Sequence, residues 1–272
     1  MKQLSPLREV IAEHGLGARK SLGQHFLLDL NLTRKIAREV GDLSGKIVIE
    51  IGPGPGGLTR ALLETEAKAV LAIEKDSRCL EALQMLVDSD KRLRVIEADA
   101  MQTDPVELTP KPRVVVANLP YNIGTALLVA WLQRAQEYDQ FILMFQKEVA
   151  KRIAAKPRTP AYGRLSVLCQ YCCDCEILFT VPARAFVPPP KVDSAVIRLV
   201  PKKGKFPVKI SELERVTAQA FGQRRKMLRG IFKGHLTDEA FAKIGIKPQA
   251  RAEELAVEDF IRLTKDLIQR PE

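Results

Sequence analysis

A chain of 272 residues has room for one large domain, or for a medium domain with a small appendage. With 46% hydrophobic and 28% charged residues it has the composition of an ordinary globular protein, and no apolar run approaches the roughly 20 residues of a membrane span. A formal charge of +10 and a pI near 9.4 favour a polyanionic partner, nucleic acid before membrane.

The stretch 1–9 lacks the apolar core of a secretory signal, so a cytoplasmic location is expected. A short helix is expected over 6–14, ended by Gly15 and Gly17, and a second from a cap at Asp29 to about Val40, with Gly41 beyond it. Between them, residues 20–27 form a loop that is both basic and apolar. From Lys46 the pattern turns to strand and helix in alternation. Strands are expected over 46–51, 69–74, 93–97, 114–118 and 140–145, with helices over 58–64, 77–87 and 125–134. Such alternation predicts an α/β fold, a parallel sheet with helices on both sides.

After residue 145 the regularity fails. A helix is expected over 147–155, a basic loop over 156–163, and further strands over 165–171 and 194–200. Four of the five cysteines crowd into 169–175. Strand alternation there sends Cys169, Cys173 and Cys175 to one face and Cys172 to the other. With no second ligand cluster, these read as buried thiols, and no metal is expected. Residues 201–205 look like a linker, and everything after about Lys209 is helical in pattern. A domain boundary is therefore expected near 203, separating a domain 1–202 from a helical domain 203–272.

The chemistry gathers at strand ends. Gly52, Gly54 and Gly57 satisfy G-x-G-x-x-G between the first strand and the first helix, where bare backbone lets a ligand approach closely. Glu74 ends the second strand, where a carboxylate can accept both hydroxyls of a ribose. Asp99 follows the third, where a carboxylate can accept from an adenine amine. The fourth strand is apolar until it stops at Asn118-Leu119-Pro120-Tyr121. This end offers a carboxamide, carbonyls without strand partners and a flat ring, a set suited to a planar heterocycle with an exocyclic amine. A nicotinamide dinucleotide would use the glycines and Glu74 but give Asn118 and Tyr121 no role. S-adenosylmethionine suits Glu50 before the glycines and Asp99 on the third strand better.

Taken together, 23–27 (Gly-Gln-His-Phe-Leu), 50–54 (Glu-Ile-Gly-Pro-Gly), Glu74, Asp99 and 118–121 resemble the motif series of the rRNA adenine N6-dimethyltransferases. Residues 186–194 fit that family's F-x-P-x-P-x-V-x-S, and 221–229 resemble the tail of its bacterial branch acting on the small subunit. The resemblance covers about residues 18–232. It implies a Rossmann-like methyltransferase sheet of seven strands, the last antiparallel, and S-adenosylmethionine as cofactor. It implies a cofactor site of Gln24, His25, Leu27, Gly52, Gly54, Glu74, Lys75, Asp99, Ala100 and Asn118, and a catalytic set of Asn118, Leu119, Pro120, Tyr121 and Phe186. His25 stands where many members carry Asn, and still offers a ring nitrogen. Phe186 has two readings, a ring stacked on the target base or a core aromatic beside a proline loop.

The implied reaction is dimethylation of adenine N6 on two adjacent adenines near the 3′ end of 16S rRNA, in the small subunit or its precursor, by a protein expected to be monomeric. A macrolide-resistance dimethylase, a DNA adenine methyltransferase, a non-catalytic assembly factor and an oxidoreductase are the competing readings. The basic segments fit RNA. Residues 202–233 hold ten Lys and Arg against two Glu, and no acid falls between Glu148 and Asp174. Phosphate contacts are expected from Arg224, Arg225, Lys226, Lys151, Arg152 and Arg158.

Overall fold

A computed structural model describes residues 5–19, 22–223 and 225–269. The chain opens with α1 (Leu7–Glu13), β1 (Phe26–Leu27) and α2 (Leu30–Arg38). Asp29 caps α2 as expected, its carboxylate accepting from the N–H groups of Asn31 and Leu32. The alternating region follows: β2 (Ile47–Ile51), α3 (Gly57–Leu63), β3 (Ala69–Glu74), α4 (Ser77–Ser89), β4 (Leu93–Glu97), α5 (Pro105–Leu108), β5 (Arg113–Asn118), α6 (Gly124–Leu132) and β6 (Gln140–Gln146). Then come α7 (Lys147–Ile153), α8 (Arg164–Cys172), β7 (Cys173–Val181), β8 (Phe186–Val187) and β9 (Ser194–Pro201). Four helices close the chain: α9 (Ile210–Phe221), α10 (Leu228–Ile231), α11 (Asp238–Lys243) and α12 (Val257–Ile268).

Seven strands form one sheet in the order β4-β3-β2-β5-β6-β9-β7. All neighbours are parallel except that β9 runs antiparallel to both β6 and β7. The central strands β2 and β5 are apolar and buried along almost their whole length, as strands covered on both faces must be. The chain leaves β2 toward β3 and β4 and returns to β5 on the other side. The crevice beyond the carboxyl ends of β2 and β5 is thus the topological switch point, where such sheets bind ligands.

Two sequence expectations change. The segment 165–171 is a helix, not a strand. Nearly every residue of α8 is buried, including Leu165, Val167, Leu168, Cys169, Tyr171 and Cys172, so neither helical nor strand periodicity shows in its sequence. Ser166 Oγ accepts from Gly163 N–H at its start. The strand lies just beyond, in β7, an edge strand whose Asp174 and Thr180 face solvent and whose Glu176 pairs with Arg198 across to β9. The cysteines therefore do not share one strand: Cys169 and Cys172 lie on α8, Cys173 and Cys175 on β7. All are free thiols, and burial pushes Cys172 and Cys175 up to about 12, so they stay protonated and inert. Among the described residues, no group of three or more His, Cys, Asp or Glu is placed to hold a metal ion.

The third novelty is a two-stranded ribbon, β1 against β8, pairing Phe26 with Val187 and Leu27 with Phe186. It ties the Gly-Gln-His-Phe-Leu segment to the Phe-Val-Pro-Pro segment. Farther on, one apolar cluster runs from Val115 and Leu143 of the sheet through Tyr171 to Leu213, Phe232 and Phe260 of the final helices. The Tyr171 hydroxyl reinforces it, donating to the Val208 carbonyl and accepting from the Val208 N–H.

Candidate active site

A cleft of about 180 Å³ opens at the carboxyl ends of β2 to β5, with the residues around β1 as its other wall. It brings together Gln24, His25, Leu27, Gly52, Gly54, Glu74, Lys75, Asp99, Ala100, Asn118, Leu119, Pro120 and Tyr121, all expected from the sequence.

The glycine turn is built against the β1 wall. Gly54 has φ +56°, and its N–H donates to Glu74 Oε2 at 2.9 Å. A Cβ on Gly57 would lie 2.5 Å from the Leu27 carbonyl oxygen, so β1 and the start of α3 approach as only glycine permits. Glu74 is 5% exposed, and its Oε1 accepts from the N–H groups of Lys75 and Asp76, 2.8 Å each. Burial raises its carboxyl above the ordinary value, and the three backbone donors counter that. Glu74 therefore braces the glycine turn as well as facing the cleft.

At the next strand end, Asp99 Oδ2 meets Lys75 Nζ at 2.8 Å while Oδ1 accepts from Met101 N–H at 2.9 Å. Lys75, most of whose side chain lies in solvent, is tied to the cleft through this carboxylate. Gln24 is held at both ends, accepting from Arg19 N–H and donating to Asp76 Oδ2, each at 2.9 Å. Asp76 is itself gripped by Arg78, which holds its carboxyl down at about 2. Gln24 is thus fixed in place by its neighbours. Asp76 is absent from the sequence-derived site because nothing in the sequence ties it to Gln24, 52 residues away.

The end of β5 is anchored across the same wall. Asn118 Nδ2 donates to the His25 carbonyl at 3.1 Å, which leaves Oδ1 as the unengaged end of the amide. The Pro120 carbonyl is taken by the N–H groups of Ile123 and Gly124, so the carbonyl in line with Asn118 is that of Leu119. Tyr121 is half-buried, and its hydroxyl shares a hydrogen bond with Ser194 Oγ. Its ring centroid lies 5.3 Å from that of His25. His25 Nδ1 in turn donates to the Pro188 carbonyl at 2.8 Å, so the ring nitrogen facing away from Pro188 is the one left for a ligand.

Of the two readings of Phe186, the core aromatic matches its burial: it is 1% exposed and packed in an apolar cluster with its ring edge-on to His25. In this arrangement it holds β1 and β8 together.

Glu50 lines the same cleft on β2, at 1% exposure, and its Oε2 has no partner among the described residues. Burial pushes this carboxyl up to about 8, the Thr59 hydroxyl countering part of the effect and the neighbouring Glu74 adding to it. An orphaned buried carboxyl, a bare glycine turn and strand-end carboxylates form a donor and acceptor set that fits a cationic nucleoside cofactor.

Of the RNA residues, Lys151 and Arg152 are exposed in the last turn of α7. Arg158 is exposed in the following loop with φ +67°, its N–H donating to the Glu253 carbonyl. Arg225 and Lys226 are exposed in the turn between α9 and α10, not on a helix, and Arg224 lies outside the described residues.

Residues 15–269 match the model of the family described as ribosomal RNA adenine dimethylase. The chain belongs to that family. It is 55% identical, over 98% of its length and 96% of the relative's, to a protein of Paramagnetospirillum magneticum named ribosomal RNA small subunit methyltransferase A. A protein of Rhodospirillum rubrum with the same name is 54% identical over 96% of this chain and 92% of its own. Among solved structures, a dimethyladenosine transferase from Plasmodium falciparum superposes with a TM-score of 0.75 at 29% identity, covering 88% of this chain and 96% of that one. The 23S rRNA methyltransferase ErmE does so with a TM-score of 0.68 at 27% identity, covering 90% of this chain and all of its own. Like other ribosomal RNA adenine dimethylases, the protein is an S-adenosylmethionine-dependent methyltransferase with the mixed seven-stranded sheet described above.

Asp99→Ala is expected to weaken S-adenosylmethionine binding about tenfold or more, the range for a hydrogen bond to a charged group. Because Asp99 sits at the cleft mouth, its melting temperature is expected to change little. Titration calorimetry beside thermal melting checks both.

Proposed function

We propose that this ribosomal RNA adenine dimethylase acts on the small subunit, converting two adjacent adenines near the 3′ end of 16S rRNA to N6-dimethyladenines. It does so in the cytoplasm, as a monomer. The names of the two relatives given above support the small-subunit assignment. The observation that carries the chemistry is the Asn118 amide, whose nitrogen is spent on the His25 carbonyl while its oxygen is left for a ligand.

Adenine N6 is a poor nucleophile because its lone pair is delocalised into the ring. Asn118 Oδ1 and the Leu119 carbonyl would accept its two hydrogens and favour a pyramidal nitrogen, freeing the lone pair for in-line attack. When bound, S-adenosylmethionine supplies an electrophilic methyl on a sulfonium. Glu74 and Asp99 would hold the nucleoside part of that cofactor, with Gly52 and Gly54 giving its amino-acid part room. Pro120 shapes the turn that presents Leu119, and the Tyr121 ring, tethered by Ser194, would stack on the target base after it leaves its neighbours. The attacking nitrogen can lose its proton after transfer, so positioning and electrostatics supply the rate. Phe186 would act from beneath, through His25.

We divide the chain into a catalytic domain, 1–202, and a helical domain, 203–272, with the RNA following Lys151, Arg152 and Arg158, the turn at Arg225 and Lys226, and Arg224. Changing those last three to Ala is expected to weaken rRNA binding and to lower the slope of log K against log salt by roughly 0.7 per lost contact. Cofactor affinity is expected to stay the same. A lowered melting temperature with an unchanged salt slope would make the turn structural instead.

The experiment for the activity is labelled S-adenosylmethionine with unmodified small subunits, large subunits and DNA, followed by nucleoside analysis. Dimethyladenosine in the small subunit alone is the expected result. Label in the large subunit would move the protein to the other branch of its family, and label in DNA would overturn the substrate assignment.

A further inference from the structure

Glu50 has no part in the steps above, yet it lines the cleft. It is carried on β2, whose five residues are all buried, and Oε2 finds no partner among the described residues. An unpartnered buried carboxyl either keeps its proton or awaits a cation. The chain supplies no such cation. From β3 comes a second carboxyl, Glu74. From α3 come the Thr59 hydroxyl, which favours the charged form of the carboxyl but only partly offsets its burial, and Arg60, which exerts no pull on Glu50: its guanidinium donates to the Ser5 carbonyl at 2.7 Å, with Nε left unpartnered among the described residues. The facing residues of β5, Val114 to Ala117, are apolar. Elsewhere around the cleft, Lys75 is held by Asp99, and Arg78 by Asp76.

We propose that Glu50 is the group that selects the positive charge of S-adenosylmethionine, passing from carboxylic acid to carboxylate as the cofactor enters and releasing its proton to solvent. The empty site holds that proton at neutral pH because burial pushes the carboxyl up to about 8. Filling the site places the sulfonium and the α-ammonium of the cofactor in the same low-dielectric cleft, where an opposite charge favours the ionised carboxyl. The O–H bond of Glu50 breaks, the electron pair stays on the carboxylate, and the proton goes to buffer. A ligand with the same nucleoside but no cation leaves Glu50 neutral. The cleft thereby tells charged cofactor from uncharged adenosine derivatives at the one place where its own side chains offer no counter-charge.

The sign follows from linkage. Binding prefers the deprotonated form, so affinity rises with pH up to about 8 and levels off above it. Each pH unit below that point costs up to about tenfold in affinity while one proton is released. The empty protein behaves in the opposite sense. Its folded carboxyl titrates above the unfolded one, so its stability falls as pH rises from the ordinary carboxylate range toward 8.

The inference rests on the cofactor reading, and the test separates the two. Calorimetric titration near pH 7 in phosphate and in Tris, buffers of very different ionisation heat, counts protons released on binding. The probes are S-adenosylmethionine, S-adenosylhomocysteine and 5′-methylthioadenosine, on wild type and Glu50→Gln. Wild type is expected to release about one proton more than Glu50→Gln with S-adenosylmethionine. With 5′-methylthioadenosine the two proteins are expected to match. Extra release with S-adenosylhomocysteine too would place the α-ammonium at Glu50, and its loss there would place the sulfonium. Equal proton counts for wild type and variant with S-adenosylmethionine would overturn the proposal while leaving the cofactor reading intact. Failure of S-adenosylmethionine to bind at any pH would overturn both. Melting of the empty proteins between pH 5 and 8 is the second measurement. Wild type is expected to lose more stability across that window than Glu50→Gln, in which the raised Glu74 carboxyl remains, and parallel curves would count against the proposal.

Discussion

Asn118→Ala is expected to abolish turnover while cofactor affinity stays close to wild type. The side chain reaches two things: the His25 carbonyl through its nitrogen and the cleft through its oxygen. Losing the oxygen removes one of the two acceptors that would draw the adenine amine toward a pyramidal geometry. Removal of a single preorganised group of this kind costs about 10²-fold or more in kcat. Losing the nitrogen frees the carbonyl of His25, a residue only half-buried, so the fold is expected to survive. Single-turnover kinetics with saturating S-adenosylmethionine and unmodified small subunits measures the rate, and calorimetry the affinity. Dimethyladenosine formed at near wild-type rate would remove Asn118 from the mechanism.

Gly57→Ala is expected to be the most damaging change in the cofactor half of the site. The added methyl would meet the Leu27 carbonyl oxygen at 2.5 Å and Leu7 Cδ2 at 3.1 Å. Leu27 is backbone in a strand paired with Phe186, so the clash cannot be relieved by turning a side chain. Overpacking of this kind costs about 1–3 kcal/mol, and here it also pushes β1 away from the glycine turn. A lower melting temperature and S-adenosylmethionine affinity reduced about tenfold or more are expected together. Gly230→Ala is the control: nothing lies within 4 Å of the added methyl, and at this exposed position of α10 it is expected to be neutral or slightly stabilising. If Gly57→Ala binds cofactor as wild type does, the approach of β1 to α3 is not what shapes the cleft.

Much of the fold was legible because its information is local. The strands from Ile47 to Gln146 announce themselves as short β-branched runs between turn residues, and each helix between them begins at a recognisable cap or glycine. The region after Gln146 was harder for a physical reason. α8 is packed on all sides, so burial erased the periodicity that identifies a helix, and β7 is an edge strand whose polar residues dilute its apolar face. The helix was therefore read as a strand and the strand behind it was not expected, and the cysteine faces went with them.

By itself, the sequence determined the kind of chemistry. Glycines, Glu74, Asp99 and Asn118-Leu119-Pro120-Tyr121 each follow a strand, and in a parallel sheet all such ends gather on one edge whatever the rest of the chain does. Which atoms remain free for a ligand was decided only in three dimensions, because it depends on contacts between residues far apart in the chain. Asn118 takes its orientation from His25, Gln24 is held by Asp76, and Phe186 is covered by the ribbon joining β1 to β8. Glu50 shows the difference most clearly. In sequence it is an acid before a glycine turn, but only tertiary burial, with no counter-charge nearby, makes it a carboxyl that holds its proton at neutral pH.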